Sequence, residues 1–129
     1  MWVWTNKRKL QFASYEHTAS VNSLSWSPDS KLIASASSDT TVQIRDTFTG
    51  ELKFIYRGHT NNVLSVAWSH NGWFLVSSDR DGTVQVWEAL PGKLKLKYDG
   101  YRGAMYSATW SSDGKFIVSG GGCENTKPR

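Results

Sequence analysis

Three residue types that can carry acyl transfer occur close together as His59, Ser77 and Asp81, and recur 42 residues earlier as His17, Ser35 and Asp39. A Ser–His–Asp hydrolase would need the serine exposed as a nucleophile and an oxyanion hole beside it. No segment carries the pattern of either. The alternative is structural, with the three side chains buried and satisfying one another. The three histidines, with His70 in a turn segment, lack the spacing of a metal site. Cys123 is the single cysteine, so neither an internal disulfide nor a thiolate zinc cluster is expected. The sequence therefore predicts no catalytic residues, no metal and no cofactor.

The elements that position these residues are read from a repeat, the strongest signal in the chain. Trp26, Trp68 and Trp110 are each 42 apart, as are Gly50 and Gly92, and Gly58 and Gly100. "VNSLSWSPDSKLIASAS" aligns without gaps to "VLSVAWSHNGWFLVSSD" and to "MYSATWSSDGKFIVSGG". Tyr101 and Cys123 stand in the third unit where His and Asp stand earlier.

Each unit reads as four short strands. "SVNSLSW" alternates, with Val21, Ser23 and Ser25 on one face and Asn22, Leu24 and Trp26 on the other. "SPDS", "SHNG" and "SSDG" supply turn residues. "KLIASAS" is a second strand, "VQIRD" and "VQVWE" a third, and "ELKFIYR" and "KLKLKYD" a fourth. In the last of these, Lys93, Lys95 and Lys97 share a face and discourage edge-to-edge pairing. No segment has a sustained helical period.

Composition agrees with a folded β protein. The 129 residues are 39% hydrophobic and 20% charged, and they include seven Trp, a residue that favours strands. Net charge is +4, but the basic residues are spread rather than clustered, so nucleic acid is not an expected partner. No apolar run approaches the roughly 18 residues of a membrane helix. The single cysteine and the lack of a signal-peptide layout fit a cytoplasmic setting.

Four strands per repeat, with Gly-His near the start and Trp-acid near the end, resemble the WD40 β-propeller family over nearly the whole chain, in the manner of bacterial arrays. "RGHTNNVLSVAWSHNGWFLVSSDRDGTVQVWE" carries the resemblance most fully. The resemblance implies a buried tetrad of His59, Ser77, Asp81 and Trp87. The first unit matches it with His17, Ser35 and Asp39 but has Arg45 in place of Trp, and that side chain is expected to lay its stem along the sheet and send its guanidinium outward. The third unit keeps Ser119 alone, and Trp4 fills the Trp position of a preceding half unit.

The same resemblance implies a protein–protein scaffold that binds through the loops at one end of the blades, the top face. Residue by residue, these positions are Ser20, Asn22 and Ser38, then Asn62, Leu64 and Arg80, then Ala104 and Tyr106. The alternatives are a small-ligand or enzymatic propeller using the central channel, and a regulatory fragment of a larger multidomain signalling protein.

The expected organisation is all-β, with blades of four antiparallel strands amounting to about three blades. Residues 1–16 form the outer half of a blade, 17–58 and 59–100 two full repeats, and 101–129 a partial third. Propellers close with about four to eight blades. The missing strands are expected either from a longer chain, of which this is a fragment, or from a homodimer completing a six-bladed ring.

Overall fold

The computed structural model describes residues 1–4, 10–13, 17–90, 92–99 and 103–122, and the backbone alone of Trp2, Trp4 and Leu10–Ala13. Within them lie twelve strands. Strands β1 (Trp2–Trp4) and β2 (Leu10–Ala13) form a two-stranded sheet. Strands β3 (Val21–Trp26), β4 (Leu32–Ser37), β5 (Val42–Asp46) and β6 (Leu52–Tyr56) form a four-stranded meander. A second meander comprises β7 (Val63–Trp68), β8 (Phe74–Asp79), β9 (Val84–Glu88) and β10 (Leu94–Tyr98). Strands β11 (Met105–Trp110) and β12 (Ile117–Gly121) pair alone. All pairings are antiparallel, giving the half, two and half blades expected from the repeat.

The turns show why the chain reverses where it does. Ser27 Oγ donates to Asp29 Oδ1 and accepts from the Leu32 amide, closing the β3–β4 turn. Ser69 with Asn71 and Phe74, and Ser111 with Asp113 and Phe116, repeat the arrangement. The turn needs a left-handed residue, and Ser30 (φ 61°), Gly72 (φ 76°) and Gly114 (φ 75°) fill equivalent places.

Registers repeat as well. Trp26 faces Ile33 across the first meander, Trp68 faces Leu75 across the second, and Trp110 faces Ile117 in the last pair. A register shift recurs between the third and fourth strands, at Ile44/Arg45 and at Leu94/Leu96. The β1–β2 pair has its shift in the same place, at Val3/Trp4, with Trp4 facing Leu10 as Trp87 faces Leu94. That sheet is thus built as the outer half of a blade, and β11–β12 as an inner half.

The core lies between the sheets. Val42, Ile44 and Tyr56 of the first meander meet Val66, Trp68, Leu75 and Trp87 of the second. Val84 and Val86 of the second meet Met105 and Ala108 of the half blade. The bonds between blades repeat too. The Trp68 indole donates to Ser25 O and the Trp110 indole to Ala67 O, each at 3.1 Å. The Val66 amide donates to Ser23 Oγ and the Ala108 amide to Ser65 Oγ.

One turn carries strain. Thr40 has φ 77°, where the equivalent position of the next blade is Gly82 with φ 85°. A β-branched residue in this region is an outlier, costing about 1–2 kcal/mol, against about 0.5–1 kcal/mol for the extra unfolded-state freedom of glycine. Thr40→Gly should therefore raise stability by about 0.5–1 kcal/mol, read as an increase in the urea midpoint at unchanged slope.

Candidate functional site

The residues with chemical potential form two buried networks. In the second blade His59, only 4% exposed, enters from the loop before β7 and bonds two residues of β8. Its Nε2 is 2.6 Å from Ser77 Oγ and its Nδ1 is 2.7 Å from Asp79 Oδ2. Ser77 Oγ also accepts the Trp87 indole N–H at 3.0 Å. The indole can only donate, so the Ser77 hydroxyl is left to donate to His59 Nε2, and His59 Nδ1–H donates to the carboxylate. All donors then point one way, from Trp87 to Asp79. Tyr56 stacks on Trp87 at 4.1 Å and donates to Gln85 Oε1 at 2.7 Å. Burial pushes the Tyr56 phenol up to about 12.

The carboxylate is not the expected one. Asp81 is exposed and accepts from Asn61 Nδ2 at 2.8 Å and from the Thr60 hydroxyl. Asp79 occupies the site because it lies two residues after Ser77 on β8, which puts both side chains on one face. It is 1% exposed and also accepts from the Thr83 hydroxyl and from the amides of Asp81 and Thr83. The period-two spacing of Ser77 and Asp79 is the sequence signal for it. Two carboxylates against one imidazole would repel, so Asp81 turns outward.

In the first blade the network uses the expected residues. His17 Nε2 lies 2.7 Å from Ser35 Oγ and Nδ1 lies 2.8 Å from Asp39 Oδ2. Arg45, in the place of Trp87, departs from the expected outward course. It is 2% exposed, and its guanidinium donates to Gly50 O and Gln43 Oε1 at 2.9 and 2.8 Å. Backbone and amide acceptors inside the sheet hold the fork in place of water. Of the remaining expected members, Ser119 is exposed on β12, which pairs with β11 alone among the described residues, and the Trp4 side chain lies outside the described residues.

Burial alone would raise both Asp39 and Asp79. Hydrogen bonds from Thr41 and His17 outweigh it and hold Asp39 down to about 2, and bonds from His59 and Thr83 hold Asp79 below the usual carboxylate range.

The loop positions form equivalent pairs at one end of the blades. The Ser38 amide donates to Ser20 O at 2.9 Å, Arg80 to Asn62 O at 3.0 Å and Gly122 to Ala104 O at 3.0 Å. Asn22 Nδ2 bridges Ser38 Oγ and, in the next blade, Val63 O. Arg80 is exposed, Leu64 is half-buried and Tyr106 is 61% exposed. Tyr106 lies over Gly122, where a Cβ would come within 2.6 Å of the ring.

The model of the WD40 family (WD domain, G-beta repeat) matches residues 8–46, 50–88 and 92–126. The chain belongs to the WD40 family. Each matched WD40 segment starts near the fourth strand of one sheet and continues into the next, so sequence repeat and structural blade are offset by one strand. No curated protein is significantly similar to the chain. WD40 repeats are a non-catalytic scaffold family. Among the described residues no three His, Cys, Asp or Glu gather as metal ligands, and no helix is long and apolar enough to cross a membrane.

Asp79→Ala should destabilise the fold by about 2–4 kcal/mol, because it strands a buried imidazole, while Asp81→Ala should cost about 0.5 kcal/mol. Urea unfolding of both variants checks this, and the reverse order would reassign the carboxylate. Because the Asp39 pKa is depressed on folding, its contribution is complete above the unfolded value near 4 and is lost as pH falls through about 2. Urea midpoints between pH 5 and 2 should therefore fall less steeply in Asp39→Asn than in the parent.

Proposed function

We propose that this WD40 chain is a protein-binding scaffold whose contact surface is the loop end carrying Ser20, Asn22, Ser38, Asn62, Leu64, Arg80, Ala104 and Tyr106. The repeat units are taken as 17–58 and 59–100, flanked by partial units 1–16 and 101–129. The reading rests on one contrast. The side chains capable of catalysis are buried and committed to each other, while Arg80 and Tyr106 are presented to solvent at the same end. Large aromatics and Arg dominate interface energy. The backbone beneath them is tied across the loops, so little ordering entropy remains to be lost on binding.

A photo-crosslinking residue placed at position 80 or 106 should yield protein adducts in cells. The same residue at position 70 should not. His70 sits in the β7–β8 turn and Arg80 in the β8–β9 turn, so they lie at opposite ends of β8. Arg80→Ala should leave unfolding within about 0.5 kcal/mol of the parent while weakening the captured complex. Equal adducts at both ends would overturn the assignment of the face.

A further inference from the structure

The two ends of the blade stack carry opposite halves of the same contact. Between blades, the Trp68 indole donates to Ser25 O and the Trp110 indole to Ala67 O. One repeat earlier, the donor is Trp26, which is 48% exposed and has no acceptor among the described residues. One repeat later, the acceptor is Thr109 O, on the outermost inner strand β11. The second repeated bond behaves alike. Val66 N donates to Ser23 Oγ and Ala108 N to Ser65 Oγ, which leaves the Leu24 amide at one end and the exposed Ser107 hydroxyl at the other.

The sheets themselves are complementary in the same way. Sheet β11–β12 has the register of an inner half blade and β1–β2 that of an outer half. Beside β12 runs a groove of about 560 Å³ whose walls include Val84, Leu96, Tyr98 and Phe116. Leu96 and Tyr98 are 48% and 54% exposed, whereas Tyr56, the equivalent of Tyr98 in the first blade, is 5% exposed under the neighbouring sheet. A third and fourth strand added to β12 would cover this groove as β9 covers Tyr56.

We propose that the groove and the edge of β12, unpaired among the described residues, are a docking site for a second copy of this chain. The partner's β1 lies antiparallel on β12 and the partner's Trp26 donates to Thr109 O. The register follows from the complete blade, in which Leu75 faces Trp87 and Val76 faces Val86. Ile117 therefore faces the partner's Trp4, and Val118 faces the partner's Val3. Each copy has twelve strands among its described residues, so two copies supply the strands of six four-stranded blades. Three copies would supply nine, beyond the roughly four to eight that close. The head-to-tail contact thus closes after one two-fold rotation. This pairing uses none of the proposed contact residues at the loop end, so it stands or falls apart from that surface.

Light scattering on the purified 129-residue chain should give twice the chain mass across a dilution series. A monomer, or a ladder of larger species, overturns the proposal. Directly opposed residues in antiparallel strands lie within disulfide reach. With Cys123→Ser as background, Val3→Cys combined with Val118→Cys should give a covalent dimer under oxidation. Val3→Cys with Gly120→Cys, out of register, should not. Equal crosslinking of both pairs, or none in the first, rejects the register. Should a cysteine variant fail to fold, the mass of the unmodified chain still decides the association.

Discussion

A four-stranded sheet with two apolar faces cannot cover either of them itself. That constraint governs the whole molecule. Val42 and Ile44 are fully buried because the second meander lies on them, and Val84 and Val86 are buried because the half blade does the same. Where the covering sheet has only its two inner strands among the described residues, Leu96 and Tyr98 are exposed although they occupy the places of Phe54 and Tyr56. Burial of one such side chain is worth about 1.5–3 kcal/mol. Stability in this architecture therefore belongs to pairs of neighbouring sheets more than to single ones. The Trp indole bonds between blades then fix how each pair is set.

The buried histidines obey a second requirement, that each ring nitrogen find a hydrogen-bond partner. Both blades meet it with a directed chain through His and Ser to a carboxylate, but with different parts. The β4–β5 and β8–β9 turns have the same backbone bonds, Ser37 N to Thr41 O and Asp79 N to Thr83 O. On that shared frame the carboxylate comes from Asp39, in the turn, or from Asp79, at the strand end. What the imidazole needs is an acceptor at Nδ1, and two sequence positions can place one there. The Trp position is similarly replaceable. Arg45 fills it by bonding the carbonyl of Gly50 in the β5–β6 turn and the side chain of Gln43, at the cost of a desolvated cation.

The fold was legible because the repeat converts local pattern into architecture. Alternation in Val21–Trp26 and the turn residues of "SPDS" and "SHNG" set each strand, and the 42-residue period showed how sheets succeed one another. In the second blade the buried site was legible in its His, Ser and Trp members and illegible in its acid, whereas Asp39 of the first blade was legible. Two aspartates, Asp79 and Asp81, flank Arg80, and only the face of β8 on which Ser77 lies distinguishes them. The path of Arg45 is illegible in the sequence for a related reason. A charged residue on a strand is ordinarily solvated, and its burial depends on Gly50 O and Gln43, contacts that no local pattern shows. The buried Gln43 and Gln85 do leave a signal in the sequence, since their identity at one repeat spacing marks them as structural.

The turn from Asp79 to Thr83 joins the interior to the exposed end. Asp79 faces inward, held by His59 and Thr83, and its Oδ1 accepts the Asp81 amide. Arg80 and Asp81 face outward on either side of that bond, and the Arg80 amide is tied to Asn62 O. The backbone that presents Arg80 is thus anchored at two points, one of them a carboxylate whose position depends on a buried histidine. A residue one step from the buried network can be exposed and variable in chemistry while its backbone stays fixed. In the first blade the corresponding Ser38 is held by Ser20 O and by Asn22, with Asp39 beside it bound to His17. The acid has moved by two positions between the blades, yet the exposed residue leaves the sheet at the same place. The histidine networks therefore bear on the exposed loop end indirectly, by fixing the backbone from which its side chains project.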